Sequence, residues 1–99
     1  MTIDEMTRRL SDAGATLPGK RIKLVLRDSG TIMLDGVSGT VSNEDGPADT
    51  TLSIGWNDWL ALAKGELDGV SAYMQGRLRI EGKMENAFQL QALLSGLKG

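Results

Sequence analysis

The sequence predicts an α+β fold with a mostly antiparallel sheet, and three observations lead to this class. Apolar and polar residues alternate through much of the segment 21–54, whereas apolar residues recur at helical spacing near both ends of the chain. Short glycine-bearing turns join the early strands, which favours hairpins. The order of elements is a helix, four strands, two helices, a strand and a helix, which is typical of helices grouped on an antiparallel sheet.

The first helix is predicted over residues 3–13. Thr2 and Glu5 have the spacing of a capping box, in which each residue satisfies a backbone N–H of the other. Apolar residues then follow at intervals of three and four, so one face is suited to burial. Gly14 is a plausible end, because glycine readily adopts the left-handed conformation that closes helices.

Five strands are predicted from period-two alternation and turn residues. In the first strand Ile22, Leu24 and Leu26 share one face, and the turn 28–30 leads into the second. The third strand is weaker, because its few valines stand among small polar residues. The strands are expected at 21–27, 31–35, 36–43, 50–54 and 77–81.

Three further helices are predicted over 57–64, 69–75 and 85–97. The first two end before Gly65 and Gly76, at positions suited to a glycine cap. The last helix carries an apolar stripe with Phe88 beside it. That stripe consists of Ala87, Leu90, Leu94 and Leu97.

Composition narrows the classes of function. The chain has 99 residues, enough for one domain over 1–99, with 40% hydrophobic residues and a net charge of −2. That balance argues against a nucleic-acid partner. Cysteine and histidine are both absent, so disulfides, thiolate chemistry and histidine-based catalytic or zinc sites are excluded. We therefore expect no enzyme and no cofactor, and a cytoplasmic location, because no signal peptide or membrane span is recognisable.

The remaining motifs have both functional and structural interpretations. The acidic loop 43–49 lacks the ligand spacing of a calcium loop, and the glycines do not form a phosphate-binding motif. In YMQGRLRIEGKM (73–84), Leu78 and Ile80 are expected to face the interior, and Arg77 and Arg79 the solvent. Five methionines would suit either a filled core or an adaptable apolar pocket, and counting residues does not separate the two.

The second half of the chain carries a specific series of motifs: DWLAL at 58–62, AYMQGRLRI at 72–80 and LQ at 90–91, preceded by a threonine-rich strand. This series closely resembles the sterol carrier protein 2 domain family. The resemblance covers about residues 20–97 and is firm over 49–97. It implies a curved five-stranded sheet covered by helices, enclosing an apolar tunnel for a lipid.

The resemblance also implies which residues line that tunnel, with Gln75 as a polar anchor for the ligand. The implied lipid-binding residues are Leu24, Leu26, Ile32, Leu34, Trp59, Leu62, Tyr73, Met74, Gln75, Leu78, Met84, Phe88, Leu90 and Leu94.

Two hypotheses of function follow. The first is a non-enzymatic intracellular lipid carrier whose partner is a fatty acid, an acyl-CoA, a sterol or a quinone, with transient membrane contact. The alternative is a domain of this fold whose pocket is filled and which serves as a protein-interaction module. The sequence does not fix an oligomeric state.

Overall fold

The computed structural model describes residues 2–95. Its elements follow the predicted order, which confirms the α+β class. They are α1 (Ile3–Asp12), β1 (Arg21–Arg27), β2 (Gly30–Asp35), β3 (Thr40–Ser42), β4 (Thr50–Gly55), α2 (Trp56–Lys64), α3 (Gly69–Met74), β5 (Leu78–Gly82) and α4 (Met84–Ser95). Within the described part of the chain, no helix is long and apolar enough to cross a membrane.

The five strands form one sheet in the order β3-β2-β1-β4-β5. Three neighbouring pairs are antiparallel and β1 pairs with β4 in parallel, so the sheet is mostly antiparallel, as predicted. The parallel pair arises from the connection 43–49, which crosses the outer face of the sheet. The ion pair there joins Lys23 Nζ to Asp45 Oδ1 at 2.8 Å.

One face of the sheet forms the core. Ile22, Leu24 and Leu26 of β1 alternate with more exposed residues and are almost fully buried. The register places Leu34 and Leu52 opposite β1 residues on the same face, from the strands on either side. Burying each such side chain contributes about 1.5–3 kcal/mol. The helices cover this face, so any interior ligand site has the sheet as its floor.

The helix ends follow the capping rules. At α1, Thr2 Oγ1 accepts from Glu5 N and Glu5 Oε1 accepts from Thr2 N, both at 3.2 Å, which confirms the capping box. The hydrogen bond from the Thr2 backbone lowers the pKa of the Glu5 carboxyl. Gly65 ends α2 with φ +78°, the left-handed cap expected there.

The predicted third and last strands need correction. The third strand is only Thr40–Ser42, because Asp35 Oδ1 accepts the backbone N–H groups of Val37 and Ser38 and holds the preceding residues in a turn. The last strand begins at residue 78, and Arg77 lies outside it with Nη1 3.9 Å from Asp58 Oδ1. The predicted helix end at 97 and its Leu97 lie outside the described residues.

Candidate functional site

Nine of the fourteen predicted lipid-binding residues gather at one core. The sheet supplies its floor, and α2 and α4 supply its cover, with Trp59 and Leu90 almost fully buried. Leu62 and Leu94 are partly buried and pack against the same cluster. The nine are Leu24, Leu26, Ile32, Leu34, Trp59, Leu62, Leu78, Leu90 and Leu94.

The other five predicted residues lie at the surface. On the short helix α3 it is Gly69 and Ala72 that are buried, so Tyr73 and Met74 point outward, with exposed fractions of 41% and 80%. Gln75 follows them as the exposed C-cap residue. On α4 the buried stripe passes through Ala87 and Leu90, which leaves Met84 and Phe88 exposed. These five residues do not line the interior, and a role for them in lipid binding stays a prediction.

The N-terminus of α3 contacts Gln91 of α4, which joins two of the helices that cover the sheet. A Cβ at Gly69 would overlap the end of the Gln91 side chain, so glycine leaves room for that side chain in its present position. Gln91 Nε2 donates to Asp68 Oδ1 at 3.3 Å, and Asp68 Oδ2 caps α3 by accepting from Ser71 N at 3.1 Å. The Ser71 backbone N–H, helped by Gln91, lowers the pKa of the Asp68 carboxyl.

A pocket of about 510 Å³, here called the α1 pocket, opens where α1 meets the C-terminal halves of α2 and α4. This volume lies within the roughly 300–1,000 Å³ typical of small-molecule sites. Its wall is formed by residues of these three helices and the cap of α1. They are Met6, Arg9, Leu10, Asp12, Ala13, Ala63 and Leu94.

The α1 pocket adjoins the buried core. Met6 and Leu10 belong to both, with only 4% of each residue exposed. Trp59 and Leu90 lie one helical turn before Ala63 and Leu94, and residues four apart share a helix face. Burial therefore increases from the pocket wall towards Trp59 and Leu90, on helix faces predicted to line a lipid site.

The wall of the α1 pocket is apolar with a charged rim. Arg9 and Asp12 are both exposed, so the rim offers a cation and an anion beside an apolar wall. Such an arrangement suits an amphiphile, whose tail avoids water while its polar head stays at the surface. Residues 2–95 contain no group of three acidic, histidine or cysteine side chains placed to hold a metal ion.

Sequence reasoning missed most of this wall. Of the pocket residues only Leu94 was predicted, because the family motifs lie in the second half of the chain. The apolar periodicity of α1 was the available signal, since Met6 and Leu10 share its buried face. Ala63 carried no comparable signal, because a small residue in a leucine-rich helix has no distinctive pattern.

Known proteins share both sequence and fold with this chain. A sterol carrier protein 2 from Oryctolagus cuniculus is 41% identical over 59 residues, which are 60% of this chain and 11% of that protein. The Aedes aegypti sterol carrier protein 2 complexed with palmitate superposes with a TM-score of 0.79 at 18% identity, over 96% of both chains. A sec-alkylsulfatase from Pseudomonas sp. superposes with a TM-score of 0.73 at 20% identity, over 94% of this chain and 16% of the sulfatase. The model of the SCP-2 sterol transfer family matches residues 3–95, and the chain therefore belongs to that family.

Proposed function

We propose that this chain is a non-enzymatic lipid carrier that holds the tail of a fatty acid or a related single-chain lipid. Membership of the SCP-2 sterol transfer family supports a lipid-binding role. The Aedes aegypti protein of the same fold binds palmitate, which makes a fatty acid the first ligand to test. Sterols, acyl-CoA and quinones remain ligand classes to compare with it.

The proposal rests on the α1 pocket, which shares Met6 and Leu10 with the buried core. The tail would enter between α1, Ala63 and Leu94 and extend towards Trp59 and Leu90. The head group would stay at the rim beside Arg9. Each buried methylene contributes about 0.8 kcal/mol, so a long tail supplies the affinity and the head group sets the orientation.

The carrier role also concerns how the ligand arrives and leaves. A lipid monomer is scarce in water, so loading would involve transient contact between the rim of the α1 pocket and a membrane. The matched region is a small part of its curated relatives and of the sulfatase. We therefore propose lipid binding for this domain alone and assign it no reaction.

The test is a titration with palmitate followed by tryptophan emission. The chain has two tryptophans, so Trp56→Phe leaves the buried Trp59 as a single reporter near the pocket. We expect a saturable change in emission and a rise in melting temperature, because a ligand that binds only the folded state stabilises it. Native mass spectrometry of the protein as purified would show whether a lipid is already bound.

A pair of variants separates a site in the pocket from nonspecific binding. Ala63→Phe places a phenyl ring in the α1 pocket and should weaken palmitate binding at least about tenfold, the loss of about two buried methylenes. Ala92→Phe adds the same ring at an exposed position of α4 and should bind as the parent does. Equal affinity of the two variants would refute the pocket as the entrance, and no binding of any lipid class would refute the carrier.

A further inference from the structure

The sheet has two edges that differ in how they are protected. β3, at one edge, has only three residues and packs against α1. β5, at the other edge, runs from Leu78 to Gly82 and pairs with β4 alone among the described strands. An unpaired strand edge is a template for pairing with another chain.

The surface beside β5 exposes large apolar side chains. Helix α3 packs on this strand and exposes Tyr73 and Met74. Together with Leu78 and Ile80 they border an open groove that also reaches the outer-face residue Arg79. Met74 is 80% exposed, so its side chain gains almost no burial in the monomer. Among the described strands this edge therefore has backbone groups without a strand partner and apolar side chains that a second chain could cover.

The side chains of β5 are self-complementary about its centre. Two copies of β5 paired antiparallel, with a two-fold axis at Ile80, place Ile80 against Ile80 of the second copy. In that register Arg79 lies opposite Glu81 of the second copy, twice over by symmetry. Directly opposite, oppositely charged side chains stabilise an antiparallel pair.

The charge order selects this register over its neighbours. If one strand slides by two residues along the other, like charges face each other. In one direction Arg79 lies opposite Arg79 of the second copy, and in the other direction Glu81 lies opposite Glu81. A slip of one residue would put the apolar face of one strand on the charged face of the other. Beyond the strand, Lys83 follows Gly82, whose φ of +93° turns the chain away, and Arg77 lies near Asp58.

We propose that two copies of this chain associate through β5, antiparallel about Ile80, so that their sheets become continuous and their α3 helices cover each other's apolar residues. Each copy then gains hydrogen bonds along its open edge and two cross-strand ion pairs, and Met74 leaves water. The α1 pocket lies on other elements and stays open, so the pairing goes beyond lipid binding and does not depend on it.

The experiment measures mass by light scattering and analytical ultracentrifugation over a range of protein concentrations. We expect a monomer–dimer equilibrium that weakens about tenfold or more in Arg79→Glu and in Glu81→Arg, because each single change sets like charges opposite each other. An equimolar mixture of the two variants should recover the dimer, since every opposed pair is then again a cation and an anion. Both positions are exposed, so circular dichroism should show that both variants fold.

Cysteine pairs test the register. The chain has no native cysteine, so a mixture of Arg79→Cys and Glu81→Cys should form the mixed disulfide under mild oxidation. Each variant alone should cross-link poorly, because its two cysteines would sit diagonally, roughly 7–8 Å apart.

Three outcomes would overturn the proposal. The first is a protein that is monomeric at every concentration. The second is a dimer whose strength neither single charge change affects. The third is a monomer whose Met74→Asp variant loses binding to anionic vesicles, which would make this edge a lipid-docking surface.

Discussion

Asn86 Nδ2 donates a hydrogen bond to Thr50 Oγ1 at 3.0 Å, and neither residue is exposed by more than 1%. The same hydroxyl donates to Lys83 O at 2.8 Å, where the chain passes from β5 into α4. This buried pair therefore fixes the start of α4 on β4, and with it the helix that carries Leu90 and Leu94.

Replacing Thr50 by valine should destabilise the protein by about 1–3 kcal/mol. Valine keeps the shape but removes the hydroxyl. The Asn86 side-chain amide then loses its buried acceptor, and the Lys83 carbonyl keeps only the hydrogen bond from the Asn86 backbone N–H. Thr51→Val is the matched control, because Thr51 points to the other sheet face and should change stability by no more than about 0.5 kcal/mol. Urea unfolding measures the stability of the two variants. Equal stability of Thr50→Val and Thr51→Val would contradict a stabilising role for the hydrogen bond between Thr50 and Asn86.

Local patterns were sufficient to predict the elements and the core face. The alternation in β1 assigns Ile22, Leu24 and Leu26 to one side, and the glycine at 65 marks the end of α2. These features are encoded within a few residues by side-chain period and backbone conformation. The buried hydrogen bond between Asn86 and Thr50 was not predicted, because nothing local distinguishes Thr50 from Thr51.

The remaining features depend on contacts between distant segments. The parallel pairing of β1 with β4 requires the connection 43–49 to cross the sheet. Helix α3 has six residues, too few for its period to show that Ala72 is buried and Met74 exposed. The α1 pocket brings together three helices from both ends of the chain, so no single motif records it.

Gly36→Ala should destabilise the fold by at least about 2 kcal/mol. The new methyl group would collide with the backbone oxygen of Leu17, which cannot move aside as a side chain can. Gly46→Ala is the control, because no atom lies within 4 Å of its Cβ position. It should be neutral or gain up to about 1 kcal/mol through a less flexible unfolded chain. Thermal unfolding of the two variants distinguishes them, and similar melting temperatures would refute the collision.

Asp68→Asn should make stability less sensitive to acid. The pKa of Asp68 is lowered by hydrogen bonds from the Ser71 backbone and Gln91, below the roughly 4 of an unfolded aspartate. A lowered folded pKa stabilises the protein above the unfolded value, and this contribution is lost as pH falls through the folded pKa. Asparagine caps α3 without titrating. Urea unfolding at neutral pH should find the wild type the more stable, because asparagine lacks this charge-linked contribution, and the difference should shrink below about pH 4. An equal loss of stability in the wild type and in Asp68→Asn as the pH falls would exclude Asp68 as a source of acid sensitivity.

Arg9→Gln should weaken the binding of a fatty acid more than that of the fatty alcohol of equal length. Arg9 lines the rim of the α1 pocket, where its charge attracts a carboxylate, and exposed ion pairs contribute up to about 1 kcal/mol, or about fivefold in affinity. Arg8→Gln is the matched control, because Arg8 is also exposed but does not line the pocket. Competition binding measures the ratio of acid to alcohol, and the same ratio in both variants would remove Arg9 from head-group binding.

Affinity for saturated fatty acids should rise by about fourfold for each added methylene, because each one buries about 0.8 kcal/mol of apolar surface. The rise should stop at the length that fills the α1 pocket, since further carbons remain in water. Ala63→Phe should move that limit to a shorter acid, whereas Ala92→Phe should leave it unchanged. Titrations of Trp59 emission in the Trp56→Phe background locate the limit for each protein. An affinity that does not vary with tail length would mean that the head group alone is bound, at the rim and outside the core.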